Sequence, residues 1–165
     1  MQTPICRPCA IGDKLCPACQ SKLGSGAMSK LDVDISRILY KINEQHNLSI
    51  ASFSHALDAG GQVLIFTPGE PGVLIGRGGK VVSALAAALG RRVRIVSESG
   101  DQRRSLEDLL SPVKVIGINE AFHAGTAIAR IRLAKEDESR LKLDVRSLEP
   151  LVSKWMGKKA EFVFE

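Results

Sequence analysis

All four cysteines of the 165-residue chain fall in one short stretch, as Cys6-Arg7-Pro8-Cys9 and Cys16-Pro17-Ala18-Cys19. Two Cys-x2-Cys pairs can wrap a single tetrahedral ion at metal–sulfur distances of about 2.3 Å. A disulfide framework would scatter its cysteines to staple distant loops. The expected occupant is a structural Zn²⁺; a redox disulfide pair and an iron–sulfur cluster are the other chemistries that thiolates suit. No glutamate near the pairs offers a catalytic base, so a catalytic metal is not expected. Residues 1–28 carry Pro4, Pro8 and Pro17 and no apolar periodicity of their own. They are therefore expected to form a small four-cysteine zinc knuckle that metal ligation orders, independent of the rest of the chain.

The second chemically suggestive run is Gly76-Arg77-Gly78-Gly79-Lys80. A P-loop would need glycine where Leu74 stands and Ser or Thr where Val81 stands. A dinucleotide fingerprint would need its third glycine at Val81 and a strand immediately before it. What remains is a Gly-x-x-Gly loop between two short helices, where small residues let a nucleic-acid backbone approach main-chain N–H groups. No acidic residue lies between Glu70 and Glu98, whereas Arg77, Lys80, Arg91, Arg92 and Arg94 are all basic. A phosphate path there would be locally positive.

These residues need elements to hold them. Leu31, Ile35, Ile38, Leu39 and Ile42 recur at helical spacing, so a helix is expected over 30–46 with Ser29 as N-cap. Strands are expected over 49–56 and 62–67, joined by a turn at 58–61. A helical turn or two leads into Gly76; a helix over 80–89 ends at Gly90 as its C′ residue, and a strand over 91–97 comes next. Helix 105–110, strands 113–118 and 126–133, helix 147–156 and strand 160–164 repeat the order. Gly90 corresponds to Gly157, and in that register Gly76–Gly79 falls on Leu143-Asp144-Val145-Arg146, which lacks glycine. The expected domains are thus 1–28, 29–99 and 100–165. His46, His55 and His123 share no ligand spacing and read as surface or loop residues, Glu136-Asp137-Glu138 as a solvated helix start, and Trp155 as core.

The run Val73-Leu74-Ile75-Gly76-Arg77-Gly78-Gly79-Lys80-Val81-Val82-Ser83-Ala84-Leu85, followed by Leu89-Gly90-Arg91-Arg92-Val93-Arg94-Ile95-Val96, resembles a prokaryotic type II KH domain. It is most similar to NusA-like KH proteins of archaea, with the Cys pairs resembling a zinc-bearing subgroup. The resemblance runs from about Ser29 to the C-terminus. It implies an α+β fold of tandem type II KH domains, the second degenerate, and a ligand of single-stranded RNA. Gly76, Arg77, Gly78 and Gly79 would meet the phosphates of about four nucleotides, with Lys80 beside them. Ile75, Val81 and Val82 would line the groove, with the strand bearing Arg91, Arg92 and Arg94 opposite. The resemblance also implies a role in transcription elongation or termination, with RNA polymerase as partner. The small ribosomal subunit is the rival, because type II KH domains occur there too.

Composition agrees with this class. Lys and Arg number 23 against 18 Asp and Glu, a net charge of +5, which favours an anionic partner. One Trp, one Tyr and five Phe supply few stacking platforms, which argues against an RRM. No apolar run approaches the roughly 20 residues that span a bilayer, and no signal peptide is recognisable, so a cytoplasmic location without membrane contact is expected. No paired carboxylates stand with a nucleophile or base, so neither a nuclease nor any other enzyme is expected.

Overall fold

The computed structural model describes residues 1–59, 61–98 and 101–165. Two compact units divide them: the first holds Met1–Asp58 and Gln62–Glu98, the second Ala59, Gly61 and the residues from 101 onwards. The architecture is mixed α+β, with a three-stranded sheet packed on helices in each unit and a cysteine cluster at the N-terminus. This matches the fold class expected from the sequence.

In the first unit, α1 (Arg7–Ile11) and α2 (Pro17–Gly24) carry the cysteines, and α3 (Lys30–Asn43) comes after them. Helix α3 starts in a capping box: Ser29 Oγ accepts from Asp32 N at 3.1 Å, and Asp32 Oδ2 accepts from Ser29 N at 2.8 Å. The other oxygen, Asp32 Oδ1, accepts from Ala56 N at 2.6 Å. One buried carboxylate thus starts the helix and ties it to the sheet.

That sheet has the order β1 (His55–Asp58), β2 (Gln62–Thr67), β3 (Arg92–Ser97), with β1/β2 antiparallel and β2/β3 parallel. A parallel pair needs a crossover, here α4 (Pro71–Ile75) and α5 (Lys80–Leu89) with a 3-10 turn over Arg77–Gly79 between them. Val63 and Ile65 face the helices and pack with Ile35, Leu39, Leu74, Val81 and Leu85. Each such side chain, fully buried, contributes about 1.5–3 kcal/mol.

Strand β1 starts later than the sequence pattern suggests. Residues 49–54 alternate like a strand, but 49–53 serve the N-terminus: Gln2 N donates to Ala51 O, and Phe53 N donates to Gln2 O, both at 2.9 Å. Gly60, in the turn expected at 58–61, lies outside the described residues.

The second unit repeats the ladder, with β4 (Val115–His123) antiparallel to β5 (Thr126–Leu133) and β5 parallel to β6 (Lys159–Phe164). Helix α6 (Gln102–Leu110) precedes the sheet, and a 3-10 segment Lys135–Arg140 and α7 (Val145–Met156) form the crossover. Gly157 ends α7 at φ 70°, as Gly90 ends α5 at φ 65°, so the repeat read from the sequence exists in the backbone. Edge strand β6 is tied to α7 by side chains: Ala160 N donates to Ser153 Oγ at 2.8 Å and Phe162 N to Glu149 Oε1 at 3.3 Å.

The stretch Pro71–Leu89 has a mean hydropathy of 1.4 over its most apolar window. Positive φ at Gly76, Gly78 and Gly79 breaks it into helices of 5 and 10 residues. Neither reaches the roughly 20 residues of a membrane span.

Candidate nucleic-acid loop and metal centre

Pro71 opens α4 at a position where its missing N–H is not needed, and Gly76 closes it at φ 76°, ψ 166°, a region open only to glycine. Gly78 (φ 64°) and Gly79 (φ 75°) then reverse the chain into α5. The three glycines differ in purpose. A Cβ on Gly76 would lie 2.5 Å from Val81 Cγ2 and 2.8 Å from Val81 N, whereas one on Gly78 would meet nothing within 4 Å. Gly76 is therefore closed against the protein's own core, and Gly78 presents open backbone to solvent. Arg77 and Lys80 flank it, both exposed.

Of the apolar residues expected to line a groove, Ile75 is 39% exposed and Val82 is half-buried. Val81 is 3% exposed and packs in the core. It supports the loop from beneath.

Arg92 and Arg94 lie on β3, and Arg91 immediately precedes it. Side chains alternate across a strand, and Val93 and Ile95 take the helix side, so Arg92 and Arg94 stand on the opposite sheet face. Arg91 is engaged elsewhere: its Nη1 and Nη2 donate to Asp58 Oδ2 and Oδ1 at 2.7 and 2.5 Å. That fork hydrogen bond, despite some burial, holds its guanidinium protonated beyond the usual range. Because an acid 33 residues away in the chain supplies the partner, the absence of local acids from 71 to 97 did not reveal this neutralisation.

Three further expectations change. His55 is on a strand rather than in a loop, with its side chain still 37% exposed: its ring stacks on Phe66 with centroids 4.4 Å apart, and its Nδ1 lies 3.2 Å from Glu98 Oε1. Asp137 is only 6% exposed, not solvated, and accepts from Lys114 N and Arg140 Nη1. Trp155 is half-buried rather than core.

At the N-terminus the four sulfurs lie within 4.8 Å of one another, with Cys6–Cys16 and Cys6–Cys19 both at 3.8 Å and Cys6–Cys9 at 3.2 Å. A tetrahedron with metal–sulfur bonds of about 2.3 Å places sulfurs ~3.8 Å apart, so the donor set fits one ion. Cys6 and Cys16 are the N-cap residues of α1 and α2. Cys16 N donates to Cys9 Sγ at 3.0 Å. The backbone of Cys19, then the thiols of Cys9 and Cys19, lower Cys16 to about 7. Despite the Cys16 backbone donor, the Cys6 thiol and burial push Cys9 up to about 12, and despite a backbone donor, burial and the neighbouring thiols raise Cys19. The thiolate is thus favoured at Cys16 and disfavoured at Cys9 and Cys19.

The knuckle also has an apolar floor that its own sequence did not suggest. Ile5, Cys9, Ala10, Cys19 and Met28 pack against Val33 of α3, with Leu23 and Tyr40 alongside. Arg37 of the same helix donates to Cys9 O at 3.2 Å and to Asp13 O at 3.0 Å. The periodicity of α3 registered its sheet face, and these contacts lie on its other side.

No family model matches the chain. Over 76 residues it is 36% identical to the probable transcription termination protein NusA of Halobacterium salinarum, in each of two strains. That alignment covers 46% of this chain, which spans 54% of the relatives' length. A solved crystal structure, that of APE1850, is similar with a TM-score of 0.56 and 25% identity, over 77% of this chain and 96% of that one. Partial similarity to NusA-type sequences and a solved structural neighbour accompany a fold that fits a KH-type RNA-binding protein.

Proposed function

We propose that this chain binds single-stranded RNA through its Gly76–Gly79 loop and acts as a NusA-like factor in transcription elongation or termination, with RNA polymerase as partner and a cytoplasmic setting. The observation that carries the reading is the loop itself: Gly78, exposed and with open space above its Cα, stands between the exposed side chains of Arg77 and Lys80. Backbone N–H groups and two cations within one turn suit a phosphate path. Ile75 and Val82 beside it offer apolar surface to bases.

The second unit takes a different part. Where the first has glycines, Leu143 is 7% exposed and Asp144 caps α7, its Oδ1 accepting from Arg146 N at 3.1 Å. A carboxylate occupies the helix start that a phosphate would need, so this unit serves as a scaffold or partner surface. The cysteines hold one structural Zn²⁺, which braces the knuckle on α3. The chain carries out no catalysis of its own.

Affinity purification with and without RNase tests the setting. Recovery of RNA polymerase is expected; recovery of the small ribosomal subunit instead would move the protein to translation.

A further inference from the structure

Beside the glycine loop, on the side where the chain leaves α3, lies a depression of about 600 Å³ lined by Gln45, His46, Asn47, Ile50, Val73 and Arg77. Its volume falls in the range of about 300–1,000 Å³ common to small-ligand sites. The backbone beneath is pinned: Asn43 Oδ1 accepts from Leu48 N at 2.8 Å, Asn47 Oδ1 from Ser49 N at 3.1 Å, and His46 N donates to Ile42 O at 2.9 Å. Among the described residues, no hydrogen bond engages the side-chain amide of Gln45 or the His46 ring. Ile50 is 78% exposed and contributes nothing to the core. The wall thus joins an apolar surface, an amide and an imidazole able both to donate and to accept, and the cation of Arg77 at its rim.

Apolar faces with polar edges describe a heterocyclic base, and a cation at the rim suits the phosphate attached to it. We infer that this depression holds the nucleobase of the nucleotide adjoining the phosphate at Arg77, so that Gln45 and His46 make RNA binding base-selective. The inference rests on the RNA-binding reading above and adds a subsite outside the loop.

Fluorescence anisotropy with short labelled homopolymers of each of the four bases tests it, using the full chain and the double variant Gln45→Ala/His46→Ala. The unaltered chain should rank the four bases. The variant should lose roughly tenfold for the preferred base, as expected for losing base-edge hydrogen bonds, with an unchanged salt slope because no phosphate contact is removed. Amide shifts at Gln45 and His46 on adding RNA to the unaltered chain give a reading independent of the variant's folding. Equal affinity for all four homopolymers, or unchanged ranking and affinity in the variant while Arg77→Asp still abolishes binding, would overturn the subsite and leave the RNA reading intact. No RNA binding by the unaltered chain would overturn both.

Discussion

Gly76 and Gly78 stand two places apart in one loop and answer to different neighbours, which makes them separable by experiment. Gly76→Ala would force a Cβ to 2.5 Å from Val81 Cγ2 at a backbone angle that only glycine adopts comfortably. Urea unfolding should show a loss of about 3 kcal/mol or more. Gly78→Ala meets nothing and should cost only about 1 kcal/mol, for the positive φ. Asp32 offers a second contrast. Because its oxygens serve both Ser29 N and Ala56 N, Asp32→Ala should lose about 2 kcal/mol by the same measurement. Sequence alone could name Gly76 and Gly78 but could not rank them, and it bore no sign of what Asp32 holds. The atoms that decide, Val81 Cγ2 and Ala56 N, come into reach only through tertiary packing.

At the scale of elements, β2, α5 and β5 take the bounds that period and glycine punctuation dictate, because each carries a local signal strong enough to fix its ends. Residues 49–54 departed from expectation because an alternating pattern states that a strand can pair but not with what, and Gln2 takes the pairing. The basic residues at 91, 92 and 94 were legible as charge, but their facing depended on which side of β3 the helices cover. For the knuckle, the Cys spacing was sufficient, while Val33, Arg37 and Tyr40 lie on α3 beyond the segment that it described. Metal analysis should find about one zinc per chain, with affinity falling as acid protonates the thiolates. Since Met28 and Val33 pack beneath the cysteines, chelation should disorder residues 1–28 and lower the first unit's melting temperature. Resonances of β2, in the separate core beneath α4 and α5, should persist. Iron in place of zinc would contradict the metal assignment, and loss of the β2 resonances would contradict the separation of the two cores.

Across the whole molecule, one ladder is built twice and equipped once. Gly157 repeats Gly90, and β4-β5-β6 repeats β1-β2-β3, yet Leu143 and Asp144 stand where the first unit has its open loop. Chemical-shift mapping with short single-stranded RNA should therefore perturb residues 72–82 and leave 143–147 unmoved; the reverse pattern would contradict the division of roles. If the loop at Gly76–Gly79 is the phosphate-binding element, Arg77→Asp should disable it without disturbing the fold. Arg77 is exposed, so circular dichroism and the urea midpoint should be unchanged, whereas a carboxylate now faces the phosphates. Affinity for single-stranded RNA should fall sharply. The slope of log Kobs against log salt should flatten by about 0.7 for each phosphate that is no longer neutralised. A folded Arg77→Asp variant with unaltered affinity and salt slope would show that these glycines only turn the chain.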